Sequence, residues 1–346
     1  MQIIPLDPLG EVSSDPLVAA SPKADIHLHQ EWSPRLDRVL ARREGHAPYD
    51  WRGWSRALMA GTAPGMPRLA LLAKVFPASE EADAEPENFC ARLEDLLEEG
   101  AADGAVLVEL RFGGETALRP DMMPLFYEAA RRVRGRHPGF HAEATYTLVT
   151  SYEAERLERV LDACLRAAHA GLSGIDLLYQ PYDTEAEWES LYRMAERAVD
   201  AGLGVTAHAG EFSTANIAAA LGTPGLTRLG HATYAAHDPR LLDLLGQQGV
   251  TVECALSCNV VLGAAPSYEE HPIRRFVEHG IAVALCTDNP VQMCTTIGRE
   301  YALAHALGFT PAELLGFTAN AVRACFAPAE RKAALLAGLH AWEQRV

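Results

Sequence analysis

The sequence predicts an α/β fold, a TIM-type (β/α)8 barrel, on three observations. Short apolar runs alternate with longer amphipathic ones, eight of the short runs can be counted, and several of the long ones close on a glycine. Such alternation marks repeated strand–helix units around a parallel sheet, and eight units are enough to close it. The strand candidates are Ala24–His29, Ala105–Arg111, Ala142–Leu148, Gly174–Leu178, Gly204–His208, Thr227–Gly230, Val250–Cys254 and Ala282–Thr287. Between them, ENFCARLEDLLEEGAADG, EAEWESLYRMAERAVDAG and EEHPIRRFVEHG carry apolar residues at helical spacing and stop on glycine. After Pro290 the chain reads as extra C-terminal helices, one opened by a capping box of Thr310 and Glu313.

One connection breaks the rhythm. About seventy residues separate the first two strands, a length that carries helices of its own and often serves as a lid. This insertion, residues 30–100, holds Trp32, Trp51 and Trp54, and its acidic run Glu80–Glu87 reads as a solvated face. Residues 1–20 read as an irregular arm, and the whole chain, 1–346, as one barrel domain.

Composition narrows the function. The 346 residues are 49% hydrophobic and 22% charged, a globular composition. With 30 Lys+Arg against 46 Asp+Glu, the net charge of −16 repels phosphate backbones and anionic lipid, so neither nucleic acid nor membrane is expected as a partner. No apolar run approaches the ~18 residues of a membrane span, and the N-terminus lacks a secretory pattern, so a cytoplasmic location is expected. The seven cysteines lack a disulfide framework and read as reduced, mostly buried thiols; the Cys254 and Cys258 spacing is a weak match to a zinc knuckle.

The sharpest chemical signal is Asp25-Ile26-His27-Leu28-His29. Strand side chains alternate, so His27 and His29 share a face, and at the C-terminal end of a barrel strand two imidazoles can bind one metal ion. Three more polar clusters end later strands: His208-Ala209-Gly210-Glu211, Gly230-His231 and Thr287-Asp288-Asn289-Pro290. Three imidazoles and a carboxylate suit Zn2+, with iron, manganese or cobalt possible. Other chemistries lack their context. His141-Ala142-Glu143 has no P-C-x-x-C partner, Gly202, Gly204 and Ala207 lead into a strand, and HExxH, Walker A and GxSxG motifs are missing.

The stretches PKADIHLH, VLVELRFGG, GIDL, AHAGE, RLGHAT, VECALSCNVVLGA, HPIRRF and LCTDNP follow in that order. Through them the chain, from Pro22 to about residue 328, resembles the adenosine deaminase family of the amidohydrolase superfamily, whose members are metal-dependent (β/α)8 barrels. The resemblance implies that His27, His29, His208 and Asp288 bind zinc. It makes Glu211 the donor of a proton to the purine nitrogen beside the amino-bearing carbon, and His231 the group that orients the attacking hydroxide. Asp288 would also take the proton of the metal-bound water. The implied reaction is hydrolytic deamination of adenosine or 2′-deoxyadenosine. The physics agrees: an aromatic amine is a poor leaving group, a metal lowers the pKa of its water toward ~7, and an acid at the ring nitrogen removes charge from the heterocycle.

Substrate contacts are expected from His29, Glu31, Tyr179 and Asn289. Three departures from the family pattern fall here. Asn289 replaces an aspartate that contacts purine nitrogen 7, and its amide can donate there directly. Tyr179 stands at a glycine whose backbone approaches the base. Gln30-Glu31-Trp32 replaces Leu-Asp-Gly, so Glu31 would hold the ribose 5′-hydroxyl. The substrate can therefore also be another 6-amino purine compound: adenine, a modified nucleoside or aminodeoxyfutalosine. AMP is disfavoured by the acidic surface. A different amidohydrolase, cutting an amide or ester, would need no acid at Glu211, and an inactive binding protein of this fold would not need every catalytic position filled.

Overall fold

Eight parallel strands follow one another around one sheet in the computed structural model, which describes residues 5–33, 36–45 and 47–345. They are β1 (Lys23–His29), β2 (Ala105–Phe112), β3 (His141–Val149), β4 (Gly174–Leu178), β5 (Gly204–Ala209), β6 (Leu226–His231), β7 (Thr251–Cys254) and β8 (Ala282–Leu285). Each pairs in parallel with the next. The expected barrel and its strands are thus present, with β8 ending two residues earlier than expected. The seam between β8 and β1 is closed by a parallel bridge of Leu28 with Asp288, in which His29 N–H donates to the Asp288 carbonyl at 2.9 Å and Asp288 N–H to that of His27 at 2.8 Å. The barrel therefore closes at its most polar sequence.

Helices cover the outside for the expected reason. In Pro86–Ala102, Phe89, Leu93, Leu96 and Leu97 recur at i, i+4, i+7 and i+8 and are all buried. Each such side chain contributes about 1.5–3 kcal/mol by leaving water. Leu28, on the face opposite His27 and His29, joins Leu96 and Ile297 in this outer layer. The capping box forms: Thr310 Oγ1 accepts from Glu313 N–H at 3.2 Å, and Glu313 Oε2 from Thr310 N–H at 2.7 Å.

The insertion carries five α-helices among the described residues: Leu36–Glu44, Trp51–Gly61, Met66–Leu72, Phe76–Asp83 and Pro86–Ala102. Its acidic run is not wholly a solvated face. Asp83 is buried, paired with Arg92 and accepting from Gln30 Nε2 at 2.7 Å, so it ties the insertion to the end of β1. The N-terminal arm is also more regular than expected. Asp15 caps a short helix, Pro16–Ala20, and Leu9 is buried with Leu58 and Leu72; residues 1–4 of the arm lie outside the described residues. All seven cysteines are free thiols, and Cys294 alone is not fully buried. No helix among the described residues is long and apolar enough to cross a membrane.

Candidate active site

The C-terminal ends of β1 and β5 and the turn after β8 bring the expected ligands together. Donor atoms of His27, His29, His208 and Asp288 lie within 4.8 Å of one another, and all four residues are buried. His29 Nε2 is 3.3 Å from His27 Nε2 and 3.1 Å from His208 Nε2, and Asp288 Oδ1 is 3.5 Å from both His27 Nε2 and His29 Nε2. Gly230, from the RLGHAT stretch, makes room: a Cβ there would sit 3.0 Å from the His27 ring. Asp288 itself adopts a left-handed backbone (φ 59°), as does His231 (φ 65°). Such conformations cost on the order of 1–3 kcal/mol in non-glycine residues and gather at functional sites.

Each of these imidazoles has its other nitrogen on a carboxylate. His27 Nδ1 lies 2.8 Å from Glu253 Oε2, His208 Nδ1 2.8 Å from Asp176 Oδ2, and His29 Nδ1 2.9 Å from Glu31 Oε1. A carboxylate accepts, so the proton of each ring sits on Nδ1 and three Nε2 lone pairs converge on one point beside the Asp288 carboxylate. Lone pairs this close repel unless a cation lies among them. The donor set therefore fits a divalent metal.

Glu211, His231 and Asp288 complete the floor. His231 Nε2 is 3.8 Å from Glu211 Oε2 and 4.0 Å from Asp288 Oδ2. Burial, reinforced by the charge of Asp288, pushes the Glu211 carboxyl well above the usual range. Burial acts upward on Asp288 too, but the surrounding histidines outweigh it and hold that carboxyl below its ordinary value. His231 is pushed down to about 3, chiefly by burial, and is neutral. Two buried carboxyls on one cavity are thus driven apart in acidity.

The cavity above this floor measures about 350 Å³. His29, Glu31, His208, Glu211, His231, Asp288 and Asn289 line its polar end, and the insertion supplies Trp32, Met66, Leu69 and Leu72 to its wall. Among the described residues, no lysine or arginine lines it. Glu31 spends Oε1 on His29, while Oε2 is buried with no hydrogen-bond partner among the described residues. Gly113 admits this side chain, since a Cβ there would come within 2.5 Å of Oε1. Tyr179 does not join the cavity lining: its buried hydroxyl bonds Thr223 Oγ1 at 2.8 Å, while Leu178, Gln180 and Tyr182 line the cavity around it. Asn289 lines the cavity but directs its amide nitrogen at Cys258 Sγ (3.6 Å), leaving the oxygen without a partner among the described residues, the reverse of the expected donor. Cys258 lies by Glu211 and Asp288 rather than pairing with Cys254 in a knuckle.

Sequence reasoning missed the layer beneath the ligands. Arg111 Nη2 lies 2.6 Å from Glu253 Oε2 and Nη1 3.3 Å from Asp176 Oδ2; Arg228 Nε lies 2.8 Å from Glu253 Oε1, and Arg228 also pairs with Glu109. All five are fully buried. Asp176 is held well below the carboxylate range because Arg111 and His208 outweigh its burial. The signal was available: a charge in the middle of an apolar strand must find a partner.

The profile of the adenosine deaminase family matches residues 22–342. An adenine deaminase of Rhizobium leguminosarum is 31% identical over 329 residues, covering 92% of this chain and 98% of its own, and one of Chelativorans sp. is 28% identical over 338 residues, covering 92% and 97%. Among solved structures, an adenine deaminase from Arthrobacter aurescens superposes with a TM-score of 0.78 at 24% identity, over 94% of this chain and all of that one. A zinc-bound amidohydrolase from Burkholderia ambifaria gives 0.76 at 20% identity, over 95% and 92%. The structural likenesses bear on the barrel alone; the profile and the relatives bear on descent, and by them the chain belongs to the adenosine deaminase family of the amidohydrolase superfamily.

Proposed function

We propose that this protein hydrolytically deaminates a 6-aminopurine, and that it takes the free base adenine in preference to adenosine. The observation that carries the reaction is the pair Glu211 and Asp288 on the same cavity, on either side of His231, the first carboxyl pushed up and the second held down. Environments that push two carboxyls apart assign the acid and the base.

A divalent cation held by His27, His29, His208 and Asp288, which we assign as zinc from its three imidazoles and one carboxylate, supplies an activated water at neutral pH when bound. Glu211 gives its proton to ring nitrogen 1 as the water oxygen adds to carbon 6, so negative charge does not build on the ring. Asp288 takes the proton lost by the water and passes it to the amino group, which leaves as ammonia. Glu211 then recovers a proton from the new carbon 6 hydroxyl, and the product is the oxo purine with its proton on nitrogen 1. His231, between Glu211 and Asp288, holds the attacking oxygen on line.

The order of substrates reverses the expectation from the sequence, which put adenosine first. Two features support the change. The relatives above carry the name adenine deaminase. Glu31, expected to hold a ribose hydroxyl, is committed to His29 through one oxygen and offers the other as a buried acceptor. The free base carries an imidazole-ring N–H that can satisfy such an acceptor, and a nucleoside does not. AMP finds no cation in the described lining. Ammonia release from adenine, adenosine and AMP by the metal-loaded protein tests the proposal. Turnover is expected in that order; AMP as the best substrate, or silence on all three with metal bound, would sink it.

A further inference from the structure

His231 ends in the same cluster as three ligand histidines, yet its outer nitrogen meets no carboxylate. Its partner chain starts instead at a backbone amide. Ile273 N–H donates to His271 Nδ1 at 3.2 Å, and because a backbone N–H can only donate, that nitrogen carries a lone pair. Burial drives His271 down to about 3, so the ring is neutral and its one proton sits on Nε2. That nitrogen lies 3.0 Å from Asn259 Oδ1, which also accepts from Thr233 Oγ1 at 3.4 Å. The amide is thereby fixed with Nδ2 facing His231 Nδ1 at 3.1 Å. An amide N–H donates as well, so His231 Nδ1 holds a lone pair and its proton falls on Nε2. All of these side chains are buried, so each hydrogen bond in the relay counts for more than it would in water.

We propose that His271 is a positioning residue which, through Asn259, keeps the proton of His231 on Nε2, making this fourth histidine a hydrogen-bond donor to the reacting oxygen instead of a fourth metal ligand. His27, His29 and His208, with carboxylates at Nδ1, present the opposite tautomer to the same point. The metal-ligand set therefore stops at three imidazoles because of a hydrogen bond made on the far side of the ring. The assignment of the oxygen as the recipient rests on the deamination reading above; the tautomer does not.

Selective 15N labelling of histidine and long-range 1H–15N correlation read the tautomer directly, with the His231 signals assigned by their loss in a His231→Gln protein. The wild-type protein is expected to show His231 protonated on Nε2; protonation on Nδ1 would overturn the proposal without any variant. In His271→Leu, kcat on the better of adenine and adenosine should fall about 10- to 100-fold, the loss expected for one charge-assisted hydrogen bond, with metal content and KM little changed. His271→Gln, which can still donate to Asn259, should restore most of the rate and the Nε2 tautomer. Wild-type kcat in folded His271→Leu, or a folded His271→Gln as slow as the leucine variant, would also overturn the role. If no purine is deaminated, the deamination reading fails and the NMR result alone decides the tautomer.

Discussion

The floor and the wall of the cavity are built on different principles. On the floor every imidazole is held from behind: three stand on carboxylates, two of those carboxylates on Arg111, and the fourth imidazole on Asn259. The wall is apolar side chains delivered by the insertion, among them Trp32, Met66, Leu69 and Leu72. The floor fixes where protons and lone pairs sit, whereas the wall excludes water and shapes volume. Substitutions on the floor should therefore act on kcat and metal affinity, and those on the wall on KM and substrate choice.

The largest effect is expected at Glu211. Glu211→Gln keeps the shape and removes the transferable proton, so kcat should fall about 10²- to 10⁴-fold while bound metal is retained. The pH profile carries the sign. Burial and the neighbouring Asp288 raise this carboxyl, so its acid form persists to higher pH than that of an ordinary glutamate, and activity should decline as pH rises through the raised value. A glutamine variant with wild-type turnover would return the site to the amide- or ester-cleaving alternative.

Next comes the layer beneath the ligands. Glu253→Gln weakens the acceptor at His27 Nδ1 and leaves Arg111 and Arg228 without their shared carboxylate. Metal affinity should drop about 10- to 100-fold, read by competition with a chelator. Thermal stability should drop too, but by less than the about 3–5 kcal/mol of a buried ion left unpaired, because Arg111 keeps Asp176 and Arg228 keeps Glu109. Unchanged metal affinity would mean that the tautomer of His27 is fixed by something other than Glu253.

Glu31 belongs to both regions, with one oxygen on a ligand and one in the cavity. Glu31→Gln can keep an acceptor for His29 but loses the full charge, so kcat on adenosine should change little. The preference for adenine over adenosine should shrink about tenfold, the worth of one charge-assisted hydrogen bond. An unaltered ratio of kcat/KM values would remove Glu31 from base recognition.

The floor was partly legible in the sequence and the wall was not, for a physical reason. Strand alternation places His27 and His29 on one face, and strand ends place His208, His231 and Asp288 at one rim, so a candidate metal cluster could be located from the sequence, while the division into ligands and non-ligands came from the family resemblance. The same rule applied to VLVELRFGG puts Glu109 and Arg111 on one face, but which charge meets which depends on the register between strands distant in sequence. Glu253 and Asp176 therefore passed as parts of matched stretches without a role. Tyr179 could not be placed because the chain turns after β4, and the residue at the family's glycine position packs toward Thr223. Most of the named wall residues come from one short helix, Met66–Leu72, whose apolar side chains serve the core as well as the cavity, Leu72 packing with Leu9 and Leu58, so its pattern does not mark which of them face a cavity.

The smallest effect is expected at Met66, and it tests whether the wall acts by shape alone. Met66 opens the helix Met66–Leu72 and is 43% exposed, whereas Leu72 at the end of that helix is fully buried with Leu9, Leu58 and Leu262. Met66→Ala removes area that already faces water and leaves no closed void, so stability should move by less than about 0.5 kcal/mol. The same truncation at Leu72 should cost about 2–5 kcal/mol through the cavity it leaves. In the assay, Met66→Ala should leave kcat unaltered and raise KM for the preferred purine by no more than a few-fold, since losing part of one apolar contact is worth about 1 kcal/mol. A fall in kcat at this exposed position would mean that the wall also orders the floor, and that the two regions are not separable.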